Sequence, residues 1–291
     1  MTVTFETRFG GGYLAEPMFE SMYFPAGEAH VKLIPGKERK DVGKLTQYAR
    51  INNADGNDLM ILQMWADAVH GRNEEAILEM PYLPGARADH PEEMIFGAAV
   101  YADIINRMDL EKVICFDPHS HRMPELINNL VELGPAALVR QHIVGHADRG
   151  GPQRYQGIIA PDKGAVERAT FVALATHLPL FRAEKVRDPD TGKLSGFTCE
   201  PLPEEGKFLV VDDICDGGGT FMGLAEATGV GRERLGLYVS HGVFSGAAYN
   251  LFGYFDEIWT TDSLDTASKI NDGPHQVNII ELNRTLKGYS A

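Results

Sequence analysis

The chain has 291 residues, 44% of them hydrophobic and 23% charged, a balance that excludes a disordered or membrane-embedded protein and suits two domains of ordinary size. Its 41 acidic against 27 basic residues leave a net charge of −14, which excludes a broad nucleic-acid surface. Anionic small molecules stay open as ligands, because a few local cations suffice to hold them. Three scattered cysteines, Cys115, Cys199 and Cys215, have no metal-ligand spacing and point to a reducing cytoplasm. No run of about eighteen apolar residues is present, so no spanning helix is expected. The stretch MTVTFETRFGGGYL lacks the basic start and apolar core of a secretory signal. A cytoplasmic protein with no membrane contact is therefore expected.

In chain order, short apolar runs alternate with helical patterns, as in an α/β protein with mainly parallel sheets flanked by helices. Strands are predicted at 30–34, 59–64, 76–81, 112–116, 137–140, 157–161, 208–211 and 235–240. Helices are predicted at 90–108, 165–178 and 220–228, the first opened by Pro91 and two glutamates. An apolar run followed by acid occurs twice, in KVICFDPHSH and KFLVVDDICDGGG, which suggests two similar halves divided at 1–145 and 146–291. The polar stretch RDPDTGKLSGFTCEPLPEEG (187–206) reads as a long mobile loop.

The most informative stretch is FLVVDDICDGGGTF (208–221). A buried strand leads into Asp212, Asp213 and Asp216, then Gly217, Gly218 and Gly219, and a helix opening at Thr220. Amides of such a loop at a helix start cradle an anion. Carboxylates repel phosphate but accept hydrogen bonds from vicinal hydroxyls, so acids and glycines together fit a ribose 5-phosphate group. The alternative is a glycine turn with solvated acids.

Four further blocks carry candidate chemistry. PYLPGARADHP (81–91) sets Arg87, Asp89 and His90 before a helix, where the arginine either grips a polyphosphate or lies on a surface turn. In CFDPHSH (115–121), His119 follows a strand and either faces a ligand or is structural; the spacing is too short for a zinc site. In APDKGAVERA (160–169), Asp162 is either a magnesium ligand or a helix cap. In AEKVRDP (183–189), Lys185 and Arg187 are either solvated or close over a transferring phosphate.

Together these blocks resemble the ribose-phosphate diphosphokinases, also called phosphoribosyl pyrophosphate synthetases. FPAGEAHVKL, PYLPGARADH, DPHS, PDKGAVERA, KVR and VVDDICDGGGT follow in that family's order over most of the chain. The last block alone is shared with type I phosphoribosyltransferases. The resemblance implies two phosphoribosyltransferase-like domains, and transfer of the diphosphoryl group of ATP to the 1-hydroxyl of ribose 5-phosphate, with Mg2+ as cofactor. It implies that Phe24 and Glu28 touch adenine across the interface of a homo-oligomer, a dimer or hexamer, and that Arg87, Asp89 and His90 belong to the ATP site. It assigns His119 and Asp162 to magnesium, and Lys185 and Arg187 to the transferring group. Asp212 and Asp213 fall to the ribose hydroxyls, and Asp216 to Thr220 to the 5-phosphate.

The chain also departs from that pattern. Ala26, Ala88, His90 and the intervening Val186 replace more polar or basic family residues. The loop reads Asp-Gly-Gly-Gly-Thr where the family commonly has Asp-Thr-Ala-Gly-Thr, which removes a hydroxyl and a methyl. Space beside the 5-phosphate would admit a larger acceptor such as ADP-ribose, whose 1-diphosphate would serve NAD salvage. A type I phosphoribosyltransferase and a non-catalytic regulatory homologue are the remaining alternatives.

Overall fold

The computed structural model describes residues 3–9, 14–37, 45–52, 55–89, 95–145, 153–187 and 194–282. These form two compact units, one ending at Leu133 and the other spanning Gly134–Leu282. Both are α/β, with mainly parallel sheets flanked by helices. No described helix is long and apolar enough to cross a membrane.

The first unit has strands β1 (Val3–Phe9), β2 (Leu14–Ala15), β3 (Phe19–Tyr23), β4 (Ala29–Leu33), β5 (Leu45–Ile51), β6 (Glu75–Glu79), β7 (Lys112–Phe116) and β8 (Leu130–Leu133). Its helices are α1 (Gly56–His70), α2 (Gly97–Asn106) and α3 (Arg122–Leu126). The main sheet runs β2-β1-β5-β6-β7-β8. It is parallel from β5 to β8 and antiparallel at β1 and β2. β3 and β4 form a separate antiparallel hairpin. Every residue of 76–79 and 113–116 is buried, as expected of parallel strands covered on both faces.

Residues 59–64 are helical, which corrects the predicted strand. The Asp55 carboxylate accepts the Asp58 N–H at 2.9 Å and caps α1. Beyond it Leu59, Leu62, Trp65, Ala66 and Val69 are buried at helical spacing. Six mostly apolar residues read alone resemble a strand; the apolar spacing over all fifteen residues of α1 makes a helix face.

The second unit holds β9 (Gly157–Ala160), β10 (Leu180–Arg187), β11 (Leu194–Cys199), β12 (Phe208–Cys215), β13 (Leu235–Gly242), β14 (Glu257–Thr261) and β15 (Asn278–Ile280). Helices α4 (Ala136–Val139), α5 (Val166–Thr176) and α6 (Gly219–Thr228) complete it. The sheet order is β11-β10-β9-β12-β13-β14-β15, parallel except at β11.

Two further expectations are corrected here, and a third lies partly outside the described residues. The strand at 137–140 is α4, continued by a wide helical turn over Arg140–Val144. Pro135 immediately before it suits a helix start. The helix expected over 90–108 is described only from Gly97 to Asn106, and its predicted opening at Pro91 lies outside the described residues. The expected loop over 187–206 contains β11, which pairs antiparallel with β10. Phe197 of β11 sits against Gly223 of α6 so closely that a Cβ there would come within 2.4 Å of the ring. Arg234 fastens the following segment, donating to the carbonyls of Pro203 at 2.6 Å and Gly206 at 2.8 Å.

The α1 face supplies the first unit's core. Leu62→Ala is expected to destabilise that unit by about 2–5 kcal/mol, from lost burial plus a residual cavity. Chemical denaturation followed by Trp65 fluorescence checks this.

Candidate functional site

β12 stays in the sheet through both acids, so Asp212 and Asp213 are strand residues and not the loop that follows. Its pairing with β9 ends at Val210, while pairing with β13 continues to Cys215. The acids therefore stand at the carboxyl end of a central strand, where open α/β sheets bind ligands. Both are nearly buried. Arg168 of α5 reaches across to them, its Nη1 lying 3.3 Å from Asp212 Oδ1 and 3.7 Å from Asp213 Oδ1. The Arg168 side chain is itself only 10% exposed.

Burial, then the neighbouring Asp213 charge, pushes the Asp212 carboxyl well above the usual carboxylate range, and Arg168 partly offsets this. The pair thus holds a proton more tightly than two free carboxylates do, and hydroxyl donors aimed at it would favour the ionised form. Sequence reasoning assigned Arg168 no role. Its signal was the single basic side chain in the helical stretch AVERATFVALA.

The loop at the end of β12 is braced from the segment that follows β13. The Cys215 carbonyl accepts from the N–H groups of Val243 and Phe244, both at 3.0 Å, and the Asp216 carbonyl from Ser245 N–H at 3.1 Å. The Ser245 hydroxyl also donates to the Asp216 carboxylate. Asp216 is thereby oriented by a serine that the sequence reading did not single out. Burial beside Asp212 and Asp216 pushes the Cys215 thiol up to about 12, so it is no nucleophile at neutral pH.

The three glycines are not equivalent. Gly218 has a φ of +79°, and Leu251 side-chain atoms stand 3.1–3.2 Å from where its Cβ would be. Glycine is required there by both backbone and packing. Among the described residues, only the Ser245 carbonyl comes near a Cβ at Gly217, at 4.0 Å, and nothing lies within 4 Å of one at Gly219. The room left by missing side chains is therefore at Gly217, while Leu251 has filled that at Gly218. α6 begins at Gly219 and Thr220, presenting its first amides to the same loop.

β10 extends past the end of its pairing with β9 at Ala160, and Lys185 lies on this extension. Lys185 Nζ donates to Asp162 Oδ2 at 2.7 Å. Asp162 Oδ1 accepts from the N–H groups of Gly164 at 3.0 Å and Ala165 at 3.2 Å, closing the turn into α5. Asp162 also adds to the negative potential on Asp212. Asp162, Lys185, Arg168, Asp212 and Asp213 thus form one charged group at the carboxyl end of the sheet. Arg187 ends β10, just beyond a register shift after Val186.

In the first unit, Phe24 and Glu28 share the tip of the β3–β4 hairpin, where Phe24 N–H donates to the Glu28 carbonyl at 2.9 Å. Both are exposed, and the Phe24 ring leans on His30 at 5.6 Å. Arg87 is exposed on a turn whose Gly85 packs under Tyr101. Asp89 is buried and ties this turn to the loop carrying His119: its carboxylate accepts from Ser120, and its carbonyl from Arg122 Nη1 at 2.8 Å. Two blocks distant in sequence are stitched together by this aspartate. Asp117 enters the loop with a φ of +45°, and His119 is exposed beyond it. His90 lies outside the described residues.

No protein-family model matches the chain. It is similar to the solved phosphoribosylpyrophosphate synthetase of Mycobacterium smegmatis, with a TM-score of 0.72 and 18% identity, covering 93% of this chain and 88% of that one. It is 26% identical over 287 residues to the ribose-phosphate pyrophosphokinase of Thermococcus kodakarensis, covering 94% of this chain and 95% of the relative. It is 36% identical over 266 residues to that of Pyrococcus furiosus, covering 88% of this chain and 90% of the relative. By this identity over nearly the whole of both proteins, the chain belongs to the ribose-phosphate pyrophosphokinase family, whose members are ATP-dependent diphosphotransferases.

Proposed function

We propose that the protein transfers the β,γ-diphosphoryl group of ATP to the 1-hydroxyl of a ribose 5-phosphate unit, in a Mg2+-dependent reaction that releases AMP. The observation that carries this reading is the buried Asp212–Asp213 pair, compensated by Arg168, at the mouth of the Gly217–Gly219 loop. The carboxylates accept hydrogen bonds from the 2- and 3-hydroxyls, and amides of the loop and the first turn of α6 hold the 5-phosphate. The 1-hydroxyl oxygen then bonds to Pβ, and the bond from Pβ to the α,β-bridging oxygen breaks. AMP leaves with that electron pair, and the hydroxyl proton passes to water.

Lys185 and Arg187 neutralise the charge of the transferring group, and positioning with neutralisation is most of what this chemistry requires. Asp162 and, separately, His119 would each bind magnesium, directly or through water. Among the described residues no three acidic, histidine or cysteine side chains cluster as a full ligand set. Magnesium on a nucleotide needs only one or two carboxylates besides phosphate oxygens, and Asp162 Oδ2, paired with the Lys185 ammonium, fits that use. Bound there, the ion supplies charge neutralisation on the phosphates. Arg87, Asp89 and His90 contribute to the ATP site. Phe24 and Glu28, at an exposed hairpin tip, complete a neighbour's adenine site in a homo-oligomer.

A second reading concerns the acceptor. The open room at Gly217, where the family commonly has threonine, favours a larger group on the ribose 5-position, as in ADP-ribose. A transferase that consumes the activated sugar would use the loop but leave the Lys185–Asp162 pair unemployed.

The deciding experiment offers ATP and magnesium with ribose 5-phosphate or ADP-ribose, following AMP release and the phosphorus NMR of the product. Diphosphate on C1 of either acceptor is expected, with loss of AMP release on chelation and recovery on adding magnesium. Acceptor-independent hydrolysis or a nucleobase-bearing product would refute the reading. Gly217→Thr is expected to shift preference at least several-fold toward ribose 5-phosphate, and equal effects on both acceptors would remove the argument from space.

Arg168→Met is expected to raise the acceptor KM roughly ten-fold or more at neutral pH, as loss of a charged hydrogen-bonding partner does. Without the cation the acid pair titrates still higher, so the acidic limb of the kcat/KM profile moves to higher pH. Arg168→Lys should return part of that shift; an unmoved limb would show that the arginine only supports the fold.

A further inference from the structure

The strand that carries Lys185 leaves the sheet before it reaches the lysine. β10 pairs with β9 only as far as Arg182, opposite Ala160. From Ala183 onward its ladder partner among the described residues is β11. Two strands alone are marginally stable in water, so this pair depends on what it packs against. Burial alternates along β10: Phe181, Ala183 and Lys185 are at least partly buried, while Arg182, Glu184 and Val186 are exposed. Phe197 and Cys199 of β11 lie across from that inward row. With Phe181 they pack against the core to which α6 contributes Phe221, Leu224 and Ala225.

Lys185 and Phe197 are register partners, so their side chains stand side by side on this face, with Cβ atoms about 5 Å apart. Phe197 in turn lies on Gly223 of α6. A Cβ there would come within 2.4 Å of Phe197 Cε2 and 2.7 Å of Cδ2. Alanine is the better helix former, yet the helix keeps glycine where the ring is seated. Gly223 is about one turn from Gly219, where α6 meets the phosphate loop. One row of contacts therefore runs from the start of α6 through Gly223 and Phe197 to Lys185, and from its Nζ to Asp162.

We propose that Phe197, seated on Gly223, is a positioning residue that holds the Lys185 ammonium in place for the transfer step. It touches no substrate and acts by fixing the β10–β11 pair against the helix that opens at the phosphate loop. This rests on the role given to Lys185 above, and names what aims that lysine. Misplacing a group that stabilises a transition state by about 1 Å costs on the order of a hundred-fold in rate.

The test measures kcat and both KM values for AMP release, with ATP and whichever of ribose 5-phosphate and ADP-ribose turns over faster. Valine lacks both contacting ring atoms, so Phe197→Val lowers kcat roughly ten-fold or more while both KM values stay within about two-fold. Gly223→Ala displaces the ring and does the same, although alanine favours the helix. The double variant recovers most of kcat, because the alanine methyl takes up space that the ring has vacated. Lys185→Ala lowers kcat, and adding Phe197→Val to it costs no more. If Phe197→Val costs the same factor without Lys185, or the Phe197→Val and Gly223→Ala losses simply add, the ring only supports the fold and the inference fails. An impaired Lys185→Ala beside Phe197→Val and Gly223→Ala at the wild-type rate overturns the positioning and leaves the lysine's role intact. Wild-type kcat in Lys185→Ala, or no AMP release by the wild type, overturns that role and this inference with it.

Discussion

Two adjacent carboxylates at the end of a buried strand are the constraint around which the second unit is arranged. Removing Asp212 and Asp213 from water is costly unless each finds a partner, and one guanidinium serves both. This fixes where α5 lies, since Arg168 must point from its first turns toward β12. The turn that launches α5 from β9 is closed by Asp162, and the outward continuation of β10 brings Lys185 to the same carboxylate. Arg168 compensates the pair incompletely, as the high proton affinity of Asp212 records. Such a site is prepared for a ligand that brings hydroxyl donors.

The phosphate loop depends on a different kind of support. Its backbone is held by β13 and the segment after it, through the Cys215 and Asp216 carbonyls and the Ser245 hydroxyl. Loop glycines can then serve different ends: Gly218 adopts a left-handed conformation under Leu251, while Gly217 leaves unfilled room. In the first unit, Asp89 does comparable work between the Arg87 turn and the His119 loop. An acid in a nucleotide-site motif can therefore act on the loops as well as on the nucleotide.

Strands buried on both faces were legible from composition. β6, β7, β9, β12 and β13 each carry a short apolar run, which is what a parallel sheet covered by helices demands. β1 and β5 were not, because their burial uses polar residues: Thr7 and Gln47 are register partners whose side chains share a 2.7 Å hydrogen bond inside the sheet. Neither residue looks apolar until its partner across the ladder is known. β11 was hidden by the glycine, proline and acidic residues around it, and its place follows from Phe197 packing on Gly223 of α6.

By itself the sequence determined the family pattern, the α/β class and the chemical types gathered at the site, because those reside in residue identity and order along the chain. The tertiary structure alone decided which groups meet. Arg168 faces the acid pair across forty-four residues, Ser245 orients Asp216 across twenty-nine, and Lys185 occupies Asp162 across twenty-three. The reason is physical: charge compensation and close packing act through space, over a few ångströms, whatever the separation along the chain.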